Sequence, residues 1–395
     1  MNRLLASFPS ALPKVLGILV FGFVWIPVGL IAQESPPLRT SVQGYIDKNE
    51  LAGAVMLVAT KDKILAVETN GWADIEKQKP MKADSVFWIA SQSKPITAAA
   101  LMCLVDDGMV SLDDPVEKFL PEFRGQMVVA EKDKEHILWR KPKHPITVRN
   151  ILAHTSGLPF RSPIEVPTLD RLSLADRVRS YAMSGLDFEP DSKYQYSNEG
   201  INVAGRIIEV VSGKSFEAFL DARLLRPLGM KDTSFWPTET QATRVAKAYK
   251  PGPSNKGLVE TKIEQLQYPL SNRSERTAMP AGGLFATADD LARFYQMLLN
   301  KGKFDNQQIL SEASVAALVQ KQTPPNLKDN YGLGFSVGPT NFGHGGAYST
   351  NSSADSKTGL ILVWLVQHNG FPGEGGKSQE AFRKEAHLQF GPDKK

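Results

Sequence analysis

The stretch Phe87-Trp88-Ile89-Ala90-Ser91-Gln92-Ser93-Lys94-Pro95-Ile96-Thr97-Ala98-Ala99-Ala100-Leu101-Met102-Cys103-Leu104-Val105-Asp106-Asp107 decides how the remainder of the chain is read. A β-prone run, Val86 to Ile89, passes through Ala90 into a segment rich in Ala, Leu and Met, so Ser91 falls at or beside a helix N-terminus with Lys94 one turn on. Three residues of separation put both side chains on one helix face. A hydroxyl and an amine held together there are the parts of an activated nucleophile, because burial and the positive helix end both disfavour the ammonium form. To serve as a base near neutral pH, Lys94 must fall from about 10.4 toward 7, roughly 4–5 kcal/mol of environment. Pro95 is compatible with this placement, since first-turn N–H groups have no intrahelical partner. On its own the spacing equally describes an N-cap serine near a lysine, so other residues must decide.

Bulk composition excludes several classes. The chain has 395 residues, a net charge of +4, one cysteine and six histidines. Its length suits one large or two ordinary domains with real cores. The charge is small and mixed in sign, against a nucleic-acid partner. Cys103 sits inside an apolar segment and reads as a core residue, with no intrachain disulfide available. The histidines show no metal-ligand spacing, so no metal and no cofactor is expected. At the N-terminus, Arg3 and Lys14 precede an apolar run from Val15 to Ala32, followed by polar Gln33-Glu34-Ser35-Pro36-Pro37. Residues 1–32 are therefore expected to be a cleaved signal peptide or an N-terminal anchor. No cysteine lies near its end, against a lipoprotein anchor. The protein is expected to be exported, periplasmic or extracellular, with membrane contact only if that segment is retained.

Two β-prone runs, Ala54 to Val58 and Ile64 to Glu68, read as a hairpin. The helix that starts at Ser93 closes at Gly108, and a short one follows from Ser111 to about Leu120. Arg124 to Pro145 reads as a basic hairpin-like insertion, either solvated or a flap contacting acidic polymers. Ile146 to Leu152 is a capped short helix ending at His154-Thr155-Ser156-Gly157-Leu158-Pro159, where His154 reads as bonding a turn. Helices are predicted over Leu172–Ser184, Glu199–Ser212, Ser215–Leu225, Asp289–Asn300 and Ser378–Leu388, with an irregular region from Met230 to Pro280. Three β-prone runs, Tyr331–Val337, Asn341–Thr350 and Leu360–His368, close the sheet. Strands at both ends with helices between them predict an α+β fold: an antiparallel sheet flanked by helices, plus an inserted mainly helical lobe, with the site in the cleft between them. The expected division is 38–122 and 275–395 for the α/β lobe, and 123–274 for the helical lobe with insertion 124–145.

Two further motifs give the serine and lysine a context. Tyr194-Gln195-Tyr196-Ser197-Asn198 precedes a helix, and Gly343-His344-Gly345-Gly346 lies on a predicted strand. The order Ser-x-x-Lys, Tyr-x-Asn, Lys/His-x-Gly resembles the serine β-lactamase and penicillin-binding protein superfamily. The chain is most similar to its class C β-lactamase-like branch of esterases, D-peptidases and amide hydrolases, over about Leu51 to Val366. That resemblance implies a β-lactamase/transpeptidase-like fold and a serine hydrolase acting through an acyl-enzyme. Ser91 would be the nucleophile, Lys94 and Tyr196 the base and proton carrier, and Asn198 a partner of Lys94 and the substrate. His344, Gly345, Gly346 and Ala347 would line the substrate and oxyanion side, the donors being the N–H groups of Ser91 and Ala347. Lys357-Thr358-Gly359 spells the β-lactamase strand motif but reads as a turn between strands.

At the strand position His344 replaces the usual lysine. A histidine is mostly neutral at pH 7 and offers no fixed charge to a substrate carboxylate, which favours esters, small amides or peptides as substrates. A true β-lactamase or D,D-carboxypeptidase is the alternative of the same class. A non-hydrolytic cell-envelope binding or sensor domain is the alternative of another class.

Overall fold

The computed structural model describes residues 37–392; the expected export signal over 1–32 lies outside them. Helix α1 (Thr40–Asp47) leads into the hairpin of β1 (Gly53–Ala59) and β2 (Ile64–Asp74), and β3 (Lys79–Pro80) adds to its edge. Strand β4 (Phe87–Trp88) runs through the 3-10 turn Ala90–Gln92 into α2 (Ser93–Asp106). The middle of the chain holds the exposed hairpin β5 (Val128–Lys132) and β6 (Ile137–Arg140), then α3 (Val148–Ala153), α4 (Leu174–Ala182), α5 (Asn198–Ser212), α6 (Phe216–Leu220) and α7 (Glu239–Ala242). A second hairpin, β7 (Ala248–Pro251) and β8 (Leu258–Thr261), follows. The chain returns through β9 (Phe285–Ala286), α8 (Ala288–Leu299), the hairpin β10 (Lys303–Phe304) and β11 (Gln307–Gln308), and α9 (Glu312–Val319). Strands β12 (Ser336–Val337), β13 (Asn341–Gly345), β14 (Asn351–Asp355) and β15 (Ile361–Leu365) precede the last helix, α10 (Ser378–Phe390).

A seven-stranded antiparallel sheet of order β12-β13-β14-β15-β1-β2-β3 is the backbone of this architecture. Its centre pairs β15 with β1, the two ends of the described chain, as the distribution of β-prone runs predicts. Every residue of both strands is buried, which explains their unbroken apolar sequences. Side chains alternate between faces: Val55 and Leu57 enter the core that holds α2, while Ala54, Met56 and Val58 pack with Val42 of α1 and Phe382 of α10. Helix α2 is apolar all round and buried from Ser93 to Leu104, as a helix enclosed by other elements must be.

Capping holds where it positions the site. Thr147 and Asn150 form a capping box on α3, Ser197 caps α5 by accepting from the Gly200 N–H, and Thr287 caps α8. Gly108 takes φ +70° just past α2, the left-handed conformation expected of a glycine there.

Several predicted boundaries move. Of Tyr331–Val337 only Ser336–Val337 joins the sheet, with Tyr331 making an isolated bridge to Ser336, and the run from Asn341 stops at Gly345, where Ala347–Ser349 turns with Tyr348 and Ser349 at φ +62° and +67°. Strand β14, with the polar sequence Asn-Ser-Ser-Ala-Asp, lies outside the predicted β-prone runs, yet Ser352 and Ala354 are buried on one face. The region from Met230 to Pro280 is not wholly irregular, since it carries α7 and the β7–β8 hairpin.

Candidate active site

Ser91 lies in the 3-10 turn between β4 and α2, half-buried, with the serine side chain at the mouth of a buried helix. The residue before it, Ala90, has φ +47°, a conformation costly for a non-glycine residue and sustained by the packing around it. A second turn with positive φ, at Tyr348 and Ser349, faces this one, and the rings of Trp88 and Tyr348 meet edge-on at 5.6 Å. Gly346 lets the two approach: a Cβ there would come within 2.3 Å of both Ile89 O and Thr350 Oγ1. The end of β13 is thereby brought against the residues that lead into Ser91, and Ala347 begins the facing turn.

Lys94 is completely buried behind Ser91. Its Nζ donates to Asn198 Oδ1 at 2.7 Å and to Ala281 O at 2.8 Å, and lies 3.2 Å from Ser91 Oγ. Burial without a counter-charge holds its pKa well below the ordinary lysine value. A neutral amine has two hydrogens and one lone pair. With the hydrogens taken by Asn198 and Ala281, the lone pair is left for the Ser91 hydroxyl.

Tyr196 stands beside this pair, its ring centroid 4.6 Å from Lys94 Nζ, with the Ser91 side chain near enough to act on its phenol. Burial raises the phenol above its ordinary value, against the smaller lowering effect of the nearby Ser91. Asn198 opens α5, its N–H donating to Phe160 O at 3.0 Å.

His344, on β13, has its ring 5.9 Å from that of Tyr196. Burial first, and then the nearby Lys94, push its pKa down to about 4, so the ring is neutral. Its Nδ1 bonds the Gly345 carbonyl and must carry the proton, so Nε2 accepts from the Tyr331 hydroxyl at 2.9 Å. The structure therefore brings Ser91, Lys94, Tyr196, Asn198 and His344 together, with Gly345, Gly346 and Ala347 continuing from the same strand end. Lys357-Thr358-Gly359 lies instead in the turn from β14 to β15, where Asp355 Oδ1 accepts the Lys357 and Thr358 N–H groups at 2.8 Å each. Among the described residues, no cluster suited to a metal ion is present.

Two site residues escape a reading of motifs. Tyr331 is buried and donates its hydroxyl to the Nε2 that the Gly345 contact leaves unprotonated on His344; the one sequence signal is its place in Tyr331-Gly332-Leu333-Gly334, whose glycines break the expected strand. His154, read as a turn histidine, reaches across to Ser197 and lies against Tyr196.

The family model described as Beta-lactamase matches residues 38–385. The chain belongs to the Beta-lactamase family. Members of this serine hydrolase family similar to the chain include an uncharacterized protein of Mycobacterium tuberculosis (strain CDC 1551 / Oshkosh), 30% identical over 371 residues, covering 84% of this chain and 89% of that one. Esterase EstB of Burkholderia gladioli is 32% identical over 269 residues, 62% of this chain and 65% of its own. Among solved structures, EstCE1, a hydrolase with promiscuous acyltransferase activity, superposes with a TM-score of 0.74 at 24% identity, over 89% of this chain and 97% of that one. At that identity the likeness shows the Beta-lactamase fold, whose seven-stranded antiparallel sheet and flanking helices are those described above.

Proposed function

We propose that this protein is a serine hydrolase that forms an acyl-enzyme on Ser91 and cleaves esters or small amides. The observation that carries the reading is the placement of the Lys94 amine between Asn198 Oδ1, Ala281 O and Ser91 Oγ. Lys94 takes the Ser91 proton as Oγ bonds to the substrate carbonyl carbon and the carbonyl π electrons move onto oxygen. The N–H groups of Ser91 and Ala347 hold that oxyanion, an arrangement worth about a hundred- to thousandfold per donor. Collapse expels the alcohol or amine, which receives a proton through the Tyr196 hydroxyl from Lys94. Water then attacks the acyl carbon, gives a proton to the same groups, and releases the acid and free Ser91.

The neutral state of His344 supports esters over anionic β-lactams, because this strand presents no fixed cation. The name of the Burkholderia esterase points the same way. A short-chain nitrophenyl ester is expected to show a kcat/KM at least about tenfold above that of a chromogenic cephalosporin, and Ser91→Ala to lose about a thousandfold or more of the ester activity. Measured side by side, a cephalosporin that wins would overturn the ester preference. A Ser91→Ala variant that keeps wild-type rates would overturn the acyl-enzyme reading itself.

A further inference from the structure

His154 bears two costs that a turn histidine need not. Its φ of +59° is left-handed, a conformation that strains a non-glycine residue by about 1–2 kcal/mol. Its ring is buried and held neutral by desolvation and by the neighbouring Lys94 and His344. With Nδ1 accepting the Ser197 N–H at 3.2 Å, the ring proton must sit on Nε2, which finds no partner among the described residues. An orphaned buried donor costs about 1–3 kcal/mol. A phenylalanine would remove that second cost and an asparagine would reduce the first. Strain kept at such a position points to a function served by the residue.

The contacts of His154 show what that function is. Its carbonyl accepts the Gln195 N–H at 2.9 Å, its Nδ1 accepts the Ser197 N–H, and its ring packs on the Tyr196 ring with centroids 4.6 Å apart. One residue thus grips the backbone on both sides of Tyr196 and the side chain itself. Tyr196 needs this support because it precedes the N-cap of α5 and lies outside the helical hydrogen-bond ladder. The remaining walls of its ring are Lys94, Phe160, stacked at 6.2 Å, and His344.

We propose that His154 is a positioning residue that clamps the Gln195–Ser197 segment and so holds the Tyr196 hydroxyl against Ser91. The proposal rests on the acyl-enzyme reading of Ser91 and adds the device that sets its proton carrier. The contacts of His154 run to the Gln195–Ser197 segment and to the rings of Tyr194, Tyr196 and Tyr331, so its removal acts first on the placement of Tyr196 and hence on the rate of proton transfer. Misplacing a reacting group by about an ångström costs on the order of a hundredfold.

Two substitutions separate the acceptor from the ring. His154→Asn keeps an oxygen near the Nδ1 position and tolerates the left-handed backbone, whereas His154→Phe keeps the ring and loses the acceptor. With the full chain and a short-chain nitrophenyl ester, His154→Phe is expected to lower kcat about 10- to 100-fold with KM changed less than about threefold, and His154→Asn to recover at least about fivefold over it. Labelling of Ser91 by a fluorophosphonate, followed by mass spectrometry, should slow in the same order. Wild-type rates in His154→Phe, or an asparagine variant no faster than the phenylalanine one, would overturn the clamp. Should His154→Phe not fold, His154→Gln, whose oxygen falls near the Nε2 position, replaces it in the same comparison. Failure of the underlying reading is distinct: the wild-type protein itself would then neither label at Ser91 nor turn over ester.

Discussion

Replacing Lys94 with methionine is expected to lower kcat for a nitrophenyl ester by about a thousandfold, within the range typical of a removed general base, while KM moves less than about threefold. Methionine has nearly the length of lysine and suits a buried site, so the cavity stays filled. What disappears is the amine between Asn198 Oδ1, Ala281 O and Ser91 Oγ. The same variant should change how stability depends on pH. In the native protein burial keeps the Lys94 pKa well below its ordinary value, whereas in the unfolded chain it returns to about 10.4. Between those two values the unfolded state holds a proton that the native state lacks, so stability rises with pH across that window. Lys94→Met should lose this rise, and urea unfolding at pH 7 and pH 10 would reveal it. Against that gain, Asn198 Oδ1 and Ala281 O are left without their donor, at about 1–3 kcal/mol each. The slope, not the midpoint at one pH, therefore reports the buried amine. A variant that keeps activity within tenfold of the wild type would remove Lys94 from the base role.

The site is legible in the chain where a residue type and its spacing are themselves the signal. Ser91 and Lys94 are three apart on one helix face, Tyr196 precedes and Asn198 opens a capped helix, and His344 lies among glycines that admit close backbone approach. What escapes is set by long-range packing. Tyr331 meets His344 only because the chain folds back through β12 and β13, and no periodicity announces that contact. Strand β14 hides for a related reason: Ser352 is buried with its hydroxyl bonded to Gln92 and near the Tyr295 hydroxyl, so a polar residue occupies a core position. Composition alone does not mark such a segment as a strand. The positive φ of Ala90 is likewise invisible, since nothing local to an alanine requires it; it follows from β4 having to deliver Ser91 at the start of α2. The sheet order is more accessible, because β1 and β15 are apolar on both faces and must lie in the interior of a covered sheet.

His368→Gln is expected to protect the fold against acid. His368 is buried at the end of β15, stacked on Phe371 at 4.6 Å, and its Nε2 accepts the Ala52 N–H at 3.1 Å. Burial holds its pKa at about 3, against about 6.5 in an unfolded chain. Below pH 6.5 the unfolded state therefore gains a proton that the native state refuses, and stability falls as pH drops toward 3. His154 and His344, also buried and neutral, act in the same direction. Glu199, raised to about 9, and Asp290, raised to about 6, both by burial, act in the opposite one: their native forms hold protons that the unfolded chain has lost, a penalty that shrinks as pH falls. The acid limb of the whole protein is a sum of opposing signs, and one substitution isolates a single contribution. Glutamine places an oxygen near Nε2 and keeps the Ala52 bond without titrating. Relative to its difference from wild type at pH 8, the variant should be more stable by about 2 kcal/mol at pH 5 and about 3 kcal/mol at pH 4, at ~1.4 kcal/mol per pH unit. The backbone N–H of His368 donates to Tyr348 O and its carbonyl accepts from Ser349 Oγ, bonds to the turn that begins at Ala347 which the substitution leaves in place. Denaturant titrations at the three pH values, wild type beside variant, measure the difference; parallel stability curves would show that His368 does not govern acid lability.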